Sequence, residues 1–227
     1  MPWLLIFGVI ALFIVFAAVG AAQRRKRREA LAAWVGRYGL SFSPDRDAGF
    51  DEQFPEFDCL RSGSDRYAYN IARGTWDGRS LLAFDYHYTT QSTDSKGRRK
   101  TNHHHFSAVI LGAKVPLKPL IVRSENIFDK LKGAFGFDDI DFESAQFSRR
   151  FYVAAPDRRW AYDVLHPRAI QFLLDSPRFS IEFDRRHVIA WRSKQFTVAD
   201  REQAIALIDG LLDQLPDYVR KSQEQLT

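Results

Sequence analysis

Apolar side chains recur along this chain with several different periods, and each change of period marks a boundary. Residues 2–22 are apolar at every position, 21 residues without a charged side chain, and after Gln23 come five cations, Arg24, Arg25, Lys26, Arg27 and Arg28. At ~1.5 Å per residue a helix of that length spans the ~30 Å hydrocarbon core of a bilayer. Lipid offers no partners for backbone N–H and C=O groups, so a helix is the expected form. The competing reading is a signal peptide cleaved near Ala17–Ala22. A signal peptide carries its positive charge ahead of a shorter apolar core, whereas here the cations lie behind the run. Positive flanks stay on the cytoplasmic side. The pattern therefore predicts a single-pass transmembrane anchor over residues 1–23, N-terminus out, with the C-terminal domain cytoplasmic and the whole held at the cell membrane.

Past the cations the pattern becomes amphipathic. Leu31, Ala32, Trp34 and Val35 fit one helical face that stops at Gly39. Residues 24–58 read as a basic juxtamembrane helix and linker, with Phe50, Phe54 and Phe57 as an apolar flap. Alternation with period two then takes over. Tyr67, Tyr69 and Ile71 alternate with Ala68, Asn70 and Ala72, and Asp77–Gly78 is a hairpin turn. On the return strand Leu82, Phe84, Tyr86 and Tyr88 oppose Leu81, Ala83, Asp85 and His87. Thr89–Asn102 is polar throughout and reads as a mobile loop.

Further strands are expected from His104 to Leu111, over Leu120–Val122 beyond Pro116 and Pro119, and over Phe151–Ala154. A second hairpin is expected with arms 179–184 and 188–191. Residues 124–136 fit a short helix and 138–142 an extended segment. Asp157 and Thr197 are N-cap candidates for later helices, and Pro167 opens another. The predicted class is α+β: an N-terminal transmembrane helix, then an antiparallel sheet of about seven strands packed by helices over residues 59–215. A pleckstrin-homology-like barrel is one arrangement of such a sheet. Residues 216–227 read as a polar C-terminal tail, a frayed helix.

Charge changes the picture once it is located. Lys and Arg number 33 against 28 Asp and Glu, and setting aside the five cations at 24–28 leaves equal numbers of each sign. The pI of 9.4 is thus a juxtamembrane property. Nucleic acid is not expected as a partner, because phosphate binding needs a concentrated positive surface. Arg24, Arg25, Lys26, Arg27 and Arg28 are expected instead to contact the bilayer's anionic headgroups, at ~1 kcal/mol per cation. Cys59 is the sole cysteine, which excludes an intrachain disulfide and a cysteine-based zinc site, and it reads as a small buried hydrophobe.

Candidate chemistry is concentrated in His103, His104 and His105. On a strand His103 and His105 share a face, and His87 or Asp85 would lie across from them, a set able to hold zinc or iron. Equally, a polar stretch joining loop to strand gathers solvated residues. His166 fits a helix cap. The chain has no GxSxG elbow, phosphate-binding loop, dinucleotide fingerprint or HExxH motif.

The stretches RGTWDGRSLLAFDYHYTT, HHHFSAVIL and DDIDFESAQFSRRFYVAAPDRRWAYDVLHPRAIQFLL, with the segment 181–191, resemble an uncharacterised family of bacterial, largely actinobacterial, single-pass membrane-anchored proteins. The resemblance covers residues 34–215 and implies the architecture; it brings no activity, cofactor or catalytic residue. The sequence thus points to a membrane-tethered cytosolic binding or scaffold domain, non-enzymatic, for a protein, peptide or lipid partner. The alternative is a metal-dependent hydrolase built on His103 and His105.

Overall fold

The computed structural model describes residues 2–95, 97–124 and 140–224, with side chains from Ile14 onward. One helix, α1 (Pro2–Arg37), runs from the apolar stretch through the basic collar without a break. The segments expected on either side of residue 23 share this one helix. Among the described residues no helix is long and apolar enough to cross a membrane, and most of the run read as an anchor lies outside the described side chains. The last turns of α1 belong to the domain: Leu31, Trp34 and Val35 are buried.

Among the described residues the domain is α+β around one antiparallel sheet of six strands. These are β1 (Ser41–Ser43), β2 (Ser64–Trp76), β3 (Arg79–Thr93), β4 (Arg99–Ser124), β5 (Phe151–Ala154) and β6 (Ser180–Arg192). They are ordered β1-β2-β3-β4-β5, with β6 pairing to β4. Among the described residues six strands stand where about seven were expected, because expected strands merge while β1 is added. Pro116 and Pro119 do not break β4. Its pairing with β6 shifts register between Gly112 and Leu117 and again between Leu117 and Leu120, and a missing N–H is tolerated at such bulges. The expected second hairpin is the single strand β6: Arg185, at φ 51°, pairs with Leu117 and the strand continues.

Thr89–Asn102 is likewise not a loop. The β3–β4 ladder runs from Leu81↔Leu111 to Thr93↔Arg99, leaving a short tip where Asp94 accepts from Arg98 Nε at 2.9 Å. No ladder closes the sheet among the described residues, so an open sheet branched at β4 replaces the pleckstrin-homology-like barrel.

Helices and a flap cover the two faces; besides α1, the short α2 (Phe50–Gln53) lies in the flap and the short α3 (Ala145–Ser148) precedes β5. One face packs against α4 (Arg158–Val164), α5 (Pro167–Asp175), α6 (Val198–Asp213), α7 (Asp217–Glu224) and the end of α1, through Leu81, Ala83, Val109, Leu111, Trp160, Ile205 and Ile208. Asp157 caps α4, accepting from Trp160 N, Pro167 opens α5, and Thr197 with Asp200 forms a capping box on α6. His166 caps α5, accepting from Ala169 N. The tail is not frayed over α7, where Val219 is buried.

On the other face Phe50, Phe54, Phe57 and Leu60 cover Phe84, Tyr86, Phe106 and Trp191, with Cys59 buried among them. A buried Phe contributes roughly 1.5–3 kcal/mol, so this stretch is part of the core and not a linker. Residues 125–139, where a short helix was expected, lie outside the described residues.

Candidate functional site

On the helix-covered face the apolar rows of β3 and β4 give way to polar ones at a single level. Asp85, His87 and Thr89 on β3 stand opposite Ser107, His105 and His103 on β4. From β2, Tyr67 and Tyr69 pair with His87 and Asp85. The β2 alternation read from sequence fails just beyond Tyr69. A register shift separates the pairs Tyr69↔Asp85 and Ala72↔Ala83, and Asn70 takes φ 51°. Asn tolerates that left-handed backbone better than most residues. Ile71 consequently joins Phe84 on the flap face, and Asn70 Nδ2 donates to Asp85 Oδ2 at 2.8 Å.

Asp85 is fully buried and takes four donors from four parts of the chain. Besides Asn70 these are Arg27 Nη2 at 2.7 Å, Arg201 Nη2 at 2.9 Å and the Ser107 hydroxyl. Ser107 Oγ in turn accepts from Phe196 N at 2.9 Å. Arg201, on the first turn of α6, is also fully buried. Burial pulls its guanidinium down to about 10 while Asp85 holds it up, so it stays charged at neutral pH. Two guanidiniums thus share one carboxylate in the interior.

This removes two residues from the sets assigned by sequence. Asp85 is no metal ligand, since its oxygens are committed to arginines, Asn70 and Ser107. Arg27 is no headgroup contact, since it turns inward to Asp85 and to the Phe196 carbonyl. Of the other collar residues, Arg25 pairs with Glu29 at 2.7 Å, and Arg24, Lys26 and Arg28 are exposed.

The histidines are brought together as their spacing suggested. His87 Nε2 lies 3.1 Å from His103 Nδ1, and His87 Nδ1 lies 3.1 Å from the Asp65 carbonyl. Tyr67 stacks on His87 with ring centroids 4.5 Å apart. His105 Nδ1 meets the Tyr69 hydroxyl at 3.2 Å, and Gln195 donates to the same hydroxyl at 2.7 Å. Burial, then the neighbouring His87 and His103, lower the His105 pKa, while burial and Asp85 raise Tyr69 to about 12. His104 points to the opposite face, stacked on Tyr88 and bonded to Thr90.

Sequence reasoning missed Arg201, Asn70, Ser107, Tyr69 and Gln195 as members of this tract. Arg201 carried a signal: it precedes Ala204 by three and Ile205 by four residues, a charge on the inward stripe of an amphipathic helix.

No family model and no curated protein matches the chain. Among solved structures it is similar to the crystal structure of the mycobacterial trehalose monomycolate transport factor A, TtfA, with a TM-score of 0.62 and 11% identity over 83% of this chain and 94% of that one. At that identity the likeness is one of fold.

Proposed function

We propose that this protein is a membrane-tethered, non-enzymatic binding or scaffold domain that serves as a transport factor. The tether rests on α1. Its C-terminal turns are built into the core, while Ile14, Val15, Phe16 and Val19 stay 50–67% exposed. Apolar side chains at that density are stable where the solvent is itself apolar, and the uncharged run 2–22 has the length for it. Arg24, Lys26 and Arg28 are exposed behind the run and favour a cytoplasmic domain with its collar against anionic headgroups. The transport role is taken from the shared fold with TtfA and from that protein's named role. The hydrolase alternative relied in part on Asp85, and its capture by Arg27 and Arg201 favours binding over catalysis.

Alkaline phosphatase fused after Thr227 should be inactive in cells, and the full chain should resist carbonate extraction from membranes. Deleting residues 2–22 should release it. An active fusion, or a mature chain beginning after Ala22, overturns the orientation and the location together.

A further inference from the structure

We propose that His87, His103 and His105 form a binding site for a divalent transition-metal ion of the zinc class. This does not depend on α1 crossing a bilayer. His87 Nδ1 faces the Asp65 carbonyl at 3.1 Å, and a carbonyl only accepts, so Nδ1 carries the proton and Nε2 presents its lone pair. A backbone carbonyl behind a histidine is the support that fixes tautomer and ring plane in metal sites.

The lone pair is aimed at His103 Nδ1, 3.1 Å away. Two imidazole nitrogens bound to one tetrahedral zinc at ~2.0–2.1 Å stand roughly 3.3–3.4 Å apart. The two nitrogens are therefore already near the edge length of a coordination tetrahedron. Without an ion, the same approach is a hydrogen bond in which His103 Nδ1–H donates to His87 Nε2.

The third ligand, His105, stands across the ladder with its Nδ1 turned to Tyr69, and its ring has to turn before its nitrogens gather with those of His87 and His103. His105 pairs with His87, and their ring centroids are 4.8 Å apart. Turning the His105 ring toward His87 gives up its bond to the Tyr69 hydroxyl, which Gln195 still satisfies. His103 and His105 are exposed while His87 is buried, so an ion has an entrance from solvent and a fixed inner ligand. A set of imidazoles without carboxylate selects zinc, copper, nickel or cobalt over magnesium and calcium. His104, on the other face of the same strand, supplies a control within the triplet.

The test uses the full chain, purified in detergent without a histidine tag and stripped with chelator. It is titrated with Zn²⁺ by calorimetry and with Co²⁺ by visible absorption. One saturable site per chain is expected, with the intense d–d bands of tetrahedral cobalt. His103→Ala and His105→Ala should each weaken binding by roughly tenfold or more, since losing even a supporting contact costs about 10–100-fold. His104→Ala should leave the affinity unchanged. Because His103 and His105 are exposed, both variants should unfold at the wild-type temperature in chelator, which separates lost ligands from lost fold. Tyr69→Phe releases His105 and should bind at least as tightly as wild type. Absence of saturable binding by either ion, or equal affinity in the His103→Ala, His105→Ala double variant, overturns the proposal.

Discussion

Asp85 ties together residues that sequence distance hides from one another: Arg27 lies 58 positions before it and Arg201 116 after it. Its burial is tolerable only because the carboxylate is saturated with donors, and the burial of Arg201 only because Asp85 is there. Asp85→Asn keeps the shape and removes the charge, leaving two guanidiniums facing each other. The expected loss is about 3–5 kcal/mol, the range for breaking a buried pair from one side. Adding Arg201→Met should recover part of that loss in urea unfolding, since it removes the fully buried one of the two facing guanidiniums. If the single variant is as stable as wild type, the buried cluster is not the anchor of this region. The sequence made Asp85 visible, on the correct face beside His87, but misassigned its partners. Period-two alternation gives a side chain's face and says nothing about which helix will cover it.

At the level of elements, legibility followed local chemistry. Caps were readable because they are local: Thr197 and Asp200 are three residues apart and satisfy each other. Strand ends were not. Pro116, Pro119 and Asp184–Arg186 look like breakers but sit at or beside irregular register in long strands, and bulges are set by the partner strand. The β3–β4 hairpin beyond Thr89 projects past the core, so both of its faces are solvated and alternation vanishes; its threonines were the remaining strand signal.

The α6 cap carries two predictions. Thr197→Ala should cost about 1 kcal/mol in thermal or urea unfolding, the usual worth of an N-cap. Burial acts to raise the Asp200 pKa, but the hydrogen bonds from Thr197 and the charges of Lys194 and Arg192 outweigh it and hold the carboxyl below its ordinary 3.8. A depressed carboxyl contributes stability above its unfolded value and loses it as pH falls through the folded one. The stability difference between wild type and Asp200→Asn should thus be constant from pH 5 to about 8 and shrink below about pH 4. A difference that persists unchanged at low pH would assign the effect to packing rather than charge.

The whole molecule is arranged by how α1 lies on the sheet. Leu40 packs against Gly74, whose ladder partner is Leu81, and Trp34 shares the core with Leu81; nearer the N-terminus Arg27 reaches Asp85. Moving backward along α1 therefore follows β3 forward, toward His87 and the hairpin tip. The collar and that tip leave the domain from the same end, and α1 has no break between its apolar stretch and its buried turns. A continuous helix fixed by Arg27 gives the domain a set orientation rather than a swinging linker. If the proposed tether holds, Arg99 and Lys100, both exposed, are carried close to the headgroup layer. Each cation there is worth ~1 kcal/mol against an anionic surface. With the full chain in nanodiscs, amide exchange over residues 89–104 should be slower in anionic than in neutral lipid, and salt should reduce the difference because the contact lies at the surface. Arg99→Ser with Lys100→Ser should abolish the difference while changing unfolding free energy by less than about 0.5 kcal/mol per site, as expected of surface substitutions. Equal exchange in the two lipids for the wild-type chain would mean that the tip points away from the bilayer. A large stability loss in the variant would mean instead that these side chains support the hairpin itself.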